Sequence, residues 1–118
     1  MIRYKLIVLL NSAEGKDEEF NEWFDTHHLP DALKVPGFVS GQRFRLAKDQ
    51  REGASRQWTY LTEYEVETAD LKSVIAELSR RLGTPAMRVT DSIAPGGSLH
   101  FFEPLTDIQF RTVQDAQS

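Results

Sequence analysis

FVSGQRFRL (Phe38–Leu46) and QWTYLTEYEV (Gln57–Val66) each alternate between two sets of side chains. A period of two is the pattern of a β-strand with unlike faces. In the first stretch Phe38, Ser40, Gln42, Phe44 and Leu46 share one face, and Val39, Gly41, Arg43 and Arg45 share the other. In the second, Trp58, Tyr60, Thr62, Tyr64 and Val66 stand against Thr59, Leu61, Glu63 and Glu65. The intervening AKDQREGASR is charged and polar with one glycine, so the pair reads as a hairpin with a long loop.

Each side of the hairpin repeats one plan, a strand and a helix. Upstream, Tyr4–Leu10 is β-rich and continuously apolar from Leu6, as in a central strand covered on both faces. After a turn-like segment, Asp17, Glu18 and Glu19 open a helix where its dipole favours acids. Phe20, Trp23, Phe24 and His27 form one stripe of that helix. Pro30 cannot continue it without meeting the carbonyl of Thr26, so the spacing predicts a break near Thr26 and a new short helix over 31–35. Downstream, Leu71, Val74, Ile75, Leu78 and Leu82 form a core-facing helical stripe, with Thr68 as its N-cap and Gly83 as its stop. A strand over 99–103 closes the pattern after a long Pro- and Gly-containing connection.

The order is therefore β-α-β-β-α-β, an α+β ferredoxin-like arrangement with a four-stranded antiparallel sheet and two helices on one face. The main domain takes residues 1–105; the tail, 106–118, offers an extra strand around 108–110, at a dimer interface. The hairpin carries Phe38, Phe44, Trp58, Tyr60 and Tyr64 at alternate positions and Val39 and Leu61 on the other parity. Two helices cannot cover both sets, so a bare apolar face predicts a second copy related by two-fold symmetry, a homodimer.

The totals narrow the classes. With 118 residues, 40% apolar and 27% charged, the chain suits one globular domain. A net charge of −4 argues against a phosphate-backbone partner, which needs a basic face. The lack of cysteine removes disulfides, thiolate metal sites and a cysteine nucleophile. The run in MIRYKLIVLL falls far short of the roughly 20 residues of a membrane span. The expectation is a soluble, cytoplasmic-type protein without a nucleic-acid or membrane partner. No P-loop, dinucleotide fingerprint or nucleophile elbow is present.

Trp23, His28-Leu29-Pro30, Pro36-Gly37-Phe38 and Arg43-Phe44, followed by YLTEYEVE, carry a family resemblance over the first two thirds of the chain. The sequence resembles the EthD-like branch of the dimeric α+β barrel superfamily. That resemblance implies a pocket between sheet and helices, or inside the barrel, and an ionisable group there that moves a proton. The matching position is His28. The superfamily also hosts cofactor-free monooxygenases, cyclases, isomerases and haem-handling enzymes, so fold does not settle activity.

Helical geometry and the resemblance disagree over the histidines. At about 100° per residue His27 lies mid-stripe and His28 at its edge, whereas the motif selects His28. Pro30 makes the phase of both uncertain, and the motif position is preferred. Imidazole suits proton transfer at neutral pH. Asp25, three residues earlier, is within reach to orient the ring. A tyrosine, Tyr64, is the candidate oxyanion partner. Trp23, Phe24, His27, Arg43, Trp58, Tyr60 and His100 complete the candidate substrate-binding set. Arg43 and Arg45 could hold an anionic group, but pairing with Glu63 and Glu65 across strands is the plainer expectation. A metal site from His27, His28 and His100 with Asp25 or Glu103 is not expected, because adjacent helical histidines diverge.

These readings converge on a cofactor-independent enzyme, of isomerase, cyclase, lyase or monooxygenase type, acting on a small hydrophobic or aromatic metabolite. His28 would be its acid/base, with no cofactor. One alternative is a non-enzymatic small-ligand-binding or accessory protein; another is a haem protein with His28 or His100 as axial ligand.

Overall fold

A computed structural model of the chain describes residues 1–112. Its strands are β1 (Ile2–Leu10), β2 (Phe38–Arg45), β3 (Tyr60–Thr68) and β4 (Ser98–Phe102). They form one antiparallel sheet in the order β2-β3-β1-β4. A helical arm crosses from β1 to β2 as α1 (Asp17–Trp23), a π-helical turn (Phe24–His28) and α2 (Leu29–Ala32). Helix α3 (Leu71–Arg81) connects β3 to β4. This is the ferredoxin-like α+β fold, with arm and α3 packed on the same face of the sheet.

The covered face is built from alternate strand residues. Leu6, Tyr64 and Val66 are buried with Ala32 and Val35 from the arm and Val74 from α3. A second cluster joins Phe20 and Phe24 of the arm to Tyr60 of β3. Phe20, Phe24 and Val74 thus point where their periodicity placed them, whereas Ile75 and Leu82 of the second stripe are exposed. Asp70 caps α3 in place of Thr68, its carboxylate accepting the Ser73 N–H at 3.3 Å. Thr68 instead accepts the Asp70 N–H through its hydroxyl at 3.0 Å.

The hairpin departs from strict alternation. Phe38 lies opposite Val66 but Ser40 lies opposite Glu65, so Val39 is an extra residue in a β-bulge. The bulge reverses the parity of β2. Phe38 joins Gly41 and Arg43 on the covered face, while Ser40, Gln42 and Phe44 turn to the open one. Of the five aromatic residues assigned to one exposed face, Phe38, Tyr60 and Tyr64 are therefore under the helices. Trp58 falls before β3, in the returning loop.

The open face divides in two. At one end Arg3 and Lys5 alternate with Glu63, Glu65 and Glu67 in a ladder of ion pairs. At the other, Ile7, Leu9 and Leu61 meet Phe44, which is 41% exposed. Among the described residues no helix or strand packs on this face, so β1 is central but covered by helices on one side. Beyond β4, residues 103–112 form no strand; the rest of the proposed tail strand lies outside the described residues.

Candidate functional site

Pro30 does not break the arm; it widens it. Proline has no N–H to donate and its ring crowds the carbonyl four residues back. Here the Leu29 N–H bonds the Phe24 carbonyl, an i→i+5 pattern that makes the π turn and leaves the pyrrolidine room. One additional residue in the turn sets back everything after it. His28 therefore takes roughly the angular place that an unbroken α-helix gives His27. The conflict between wheel and motif disappears: both histidines are half-buried, but it is His28 that lines the cavity and has its Nδ1 buried.

The His28 ring stacks on Trp23 with centroids 4.7 Å apart and meets the edge of Phe24 at 4.9 Å. It lines a cavity of about 180 Å³ between the sheet and α3. The remaining wall is mostly apolar, with Leu6 and Val8 from β1, Phe101 from β4 and Leu78 from α3, and with Tyr64 of β3 and Ser79 of α3 as its other polar residues. Tyr64 lies flat over Gly41, where a Cβ would come 2.9 Å from both its ring and Leu29. A glycine inside a strand marks such a close approach, and this was the available signal for how Tyr64 is seated.

Two polar atoms at this cavity have no partner. Nδ1 of His28 and the hydroxyl of Tyr64 are both buried without a hydrogen bond. Burial pushes the imidazole down to about 4, only partly opposed by the charge of Asp31. Burial likewise raises the Tyr64 phenol, with the Arg43 charge opposing. Both groups are neutral at pH 7, a proton acceptor and a proton donor lining one cavity.

Asp25 is not the orienter of His28. Its exposed carboxylate accepts from Nη1 of Arg43 at 2.8 Å. Nor does Arg43 pair with Glu63 or Glu65, because the bulge turns it to the covered face, opposite Thr62. Those two glutamates bind Lys5 on the open face. Nη2 of Arg43 donates to Oδ1 of Asn21 at 2.8 Å, and its guanidinium sits 4.5 Å from the Phe24 ring centroid. Tyr60 joins this cluster, its hydroxyl donating to Asp17 and accepting from Nδ2 of Asn21.

The remaining candidates are on the other side of the sheet or near it. His100 is exposed on the open face, with Nδ1 3.0 Å from the Ser98 hydroxyl. Trp58 lines a separate groove with Leu9, Phe44 and Leu61. The structure thus gathers Trp23, Phe24, His28 and Tyr64, and separates Trp58 and His100 from them. No cluster of three or more metal-ligating side chains occurs among the described residues. No helix among them is long and apolar enough to cross a membrane.

Sheet and covering helices together define a ferredoxin-like α+β protein. The chain belongs to the family described as "Domain of unknown function (DUF4286)", whose model matches residues 1–85. No curated protein matches it. Among solved structures it is similar to a protein described as a "putative monooxygenase" from Shewanella loihica PV-4, at 19% identity and TM-score 0.57, covering 94% of this chain and 97% of that one. An EthD family protein from Bacillus halodurans C-125 matches at 19% identity and TM-score 0.51, covering 88% and 100%. The haem-degrader MhuD from Mycobacterium tuberculosis matches at 20% identity and TM-score 0.59, covering 90% and 99%. At these identities the likeness is one of fold.

Proposed function

We propose that the chain is a small-molecule enzyme that transfers protons with its own side chains. The observation that carries this reading is the pair of unpartnered buried polar atoms, on His28 and Tyr64, at one apolar cavity. A buried group without a partner is costly, and a ligand that bonds it recovers that cost. The neutral His28 ring takes a proton from a carbon next to a carbonyl, or from a phenol. The Tyr64 hydroxyl donates to the oxygen on which negative charge develops. Return of the proton at another position completes an isomerisation, and loss of a neighbouring group completes an elimination. Asp25 takes no proton in this scheme, since its carboxylate is on Arg43.

The cavity sets the ligand class. At about 180 Å³ it is smaller than the roughly 300–1,000 Å³ of pockets for drug-sized ligands, and its lining carries no charged residue. A small, uncharged, mostly apolar molecule fits. Haem does not fit this cavity as shaped, since a tetrapyrrole is as large as those ligands. His100, the other candidate axial ligand, is on the opposite face of the sheet from this cavity.

The open face supports a homodimer, in which Leu9, Leu61 and Phe44 of two copies meet about a two-fold axis. Leu105, Ile108 and Phe110, at least 81% exposed, fit the same interface, with the tail as an added strand. Light scattering checks this: Leu61→Glu should give a monomer that still folds, and a wild-type monomer would remove the idea. A cytoplasmic site of action accords with a chain free of cysteine.

The function itself is tested without knowing the substrate. Small ketones and phenols are incubated with the protein in deuterated water, and exchange at the activated carbon is followed by NMR. Wild type should accelerate exchange for at least one compound and His28→Ala should not. Binding of such compounds with no exchange would favour the accessory, non-enzymatic protein.

A further inference from the structure

Arg43 occupies an unusual place for a strand arginine. It is on the covered face only because Val39 bulges out of β2, and its side chain is 14% exposed. Its two terminal nitrogens bond Asn21 and Asp25, each at 2.8 Å. Those residues stand four apart on the arm, Asn21 in α1 and Asp25 inside the π turn. The guanidinium also lies against the rings of Phe20, Phe24 and Tyr60, with centroids 4.5–5.5 Å away.

A planar fork that holds two residues across the start of the π turn fixes the pitch between them. Pro30 requires a widened turn somewhere ahead of it; the fork decides where that turn falls. Had the widening begun elsewhere, the residues after Asp25 would shift by up to about 100°, and His28 would leave the stripe made by Phe20 and Phe24. We propose that Arg43 is the positioning residue for His28: by bonding Asn21 and Asp25 it sets the π-turn register that turns the imidazole into the cavity. This deepens the proton-transfer reading and rests on its placement of His28, but it needs no turnover to be tested.

The readout is the titration of His28 by histidine NMR, with amide exchange over residues 24–29. In wild type the ring should titrate at about 4, the value to which burial lowers it. The charged group that acts on it is Asp31, and the titratable group sharing its cavity is Tyr64. In Arg43→Gln and Arg43→Lys the midpoint should rise by more than one unit towards 6.5 and exchange should quicken. Lysine keeps the charge but cannot span both partners, so a rise there is not a charge effect. Asp25→Ala removes one partner at an exposed position and should also raise the midpoint. Loss of a nearby negative charge alone would lower it, so the sign is diagnostic. If the arginine variants fail to fold, Asp25→Ala decides alone.

An unchanged midpoint and unchanged exchange in folded Arg43→Lys and Asp25→Ala would overturn the positioning role and leave the cavity reading intact. A wild-type midpoint near 6.5 would overturn both.

Discussion

The two faces of the sheet handle polar groups in opposite ways. On the open face the charges are satisfied, Arg3 and Lys5 being bonded to Glu63, Glu65 and Glu67, and apolar side chains are left bare. On the covered face apolar side chains are packed, and Nδ1 of His28, the Tyr64 hydroxyl and Nε of Arg43 are left without partners. Exposed ion pairs are weak and water can replace them. An unsatisfied imidazole or phenol in an apolar cavity has no such substitute. The contrast teaches where each kind of recognition belongs: a partner of like surface on the open face, and a small ligand with hydrogen-bonding groups on the covered one.

The largest effect expected is at the covered face. His28→Ala should reduce proton exchange by roughly 10²–10⁴, the usual worth of a positioned acid or base, while circular dichroism stays native. Equal exchange in both proteins would erase the distinction between the faces. Next comes acid sensitivity. A folded-state midpoint of about 4 against an ordinary 6.5 means that the unfolded chain binds the proton first. Stability is therefore full above pH 6.5 and declines as pH falls towards 4, by on the order of 3 kcal/mol. His28→Gln should flatten that decline in denaturant titrations; a slope that persists would place its origin elsewhere.

A smaller effect is expected at Gly41. A methyl group there meets Tyr64 and Leu29 at 2.9 Å, and overpacking of this kind costs about 1–3 kcal/mol. Chemical denaturation of Gly41→Ala measures it, and an unperturbed midpoint would show that Tyr64 is not held as described. Least of all should follow from Arg3→Ala on the open ladder, where the side chain is 53% exposed. Its thermal midpoint should match wild type at physiological salt, and a large drop would mean that the ladder is shielded by something, most simply the second copy.

Element order and much of the core were legible because periodicity reports burial: Val74 and Leu78 of the α3 stripe and the alternate residues from Tyr60 to Val66 pack into the core, whereas Ile75 and Leu82 of that stripe stay exposed. The bulge at Val39 was not, since nothing in FVSGQ distinguishes an extra strand residue from a regular one. That single residue put Phe38 on the same face as Arg43 and opposite Phe44, and so changed the count of bare aromatics and the partner of Arg43. Pro30 was read as a break because an α-helix cannot hold it. A π turn can, and it differs by one hydrogen-bond step. His28 was reached through a resemblance rather than the helical wheel, and the wheel failed for that same reason. Asn21 gave no signal, because its role depends on an arginine 22 residues away.

The most direct test is the titration of the His28 imidazole in the unmodified protein, followed through its ring nitrogens. A ring that stays neutral until about pH 4 is the predicted result. Protonation near 6.5 would contradict it, since the imidazole would then be in water and the cavity would have no base.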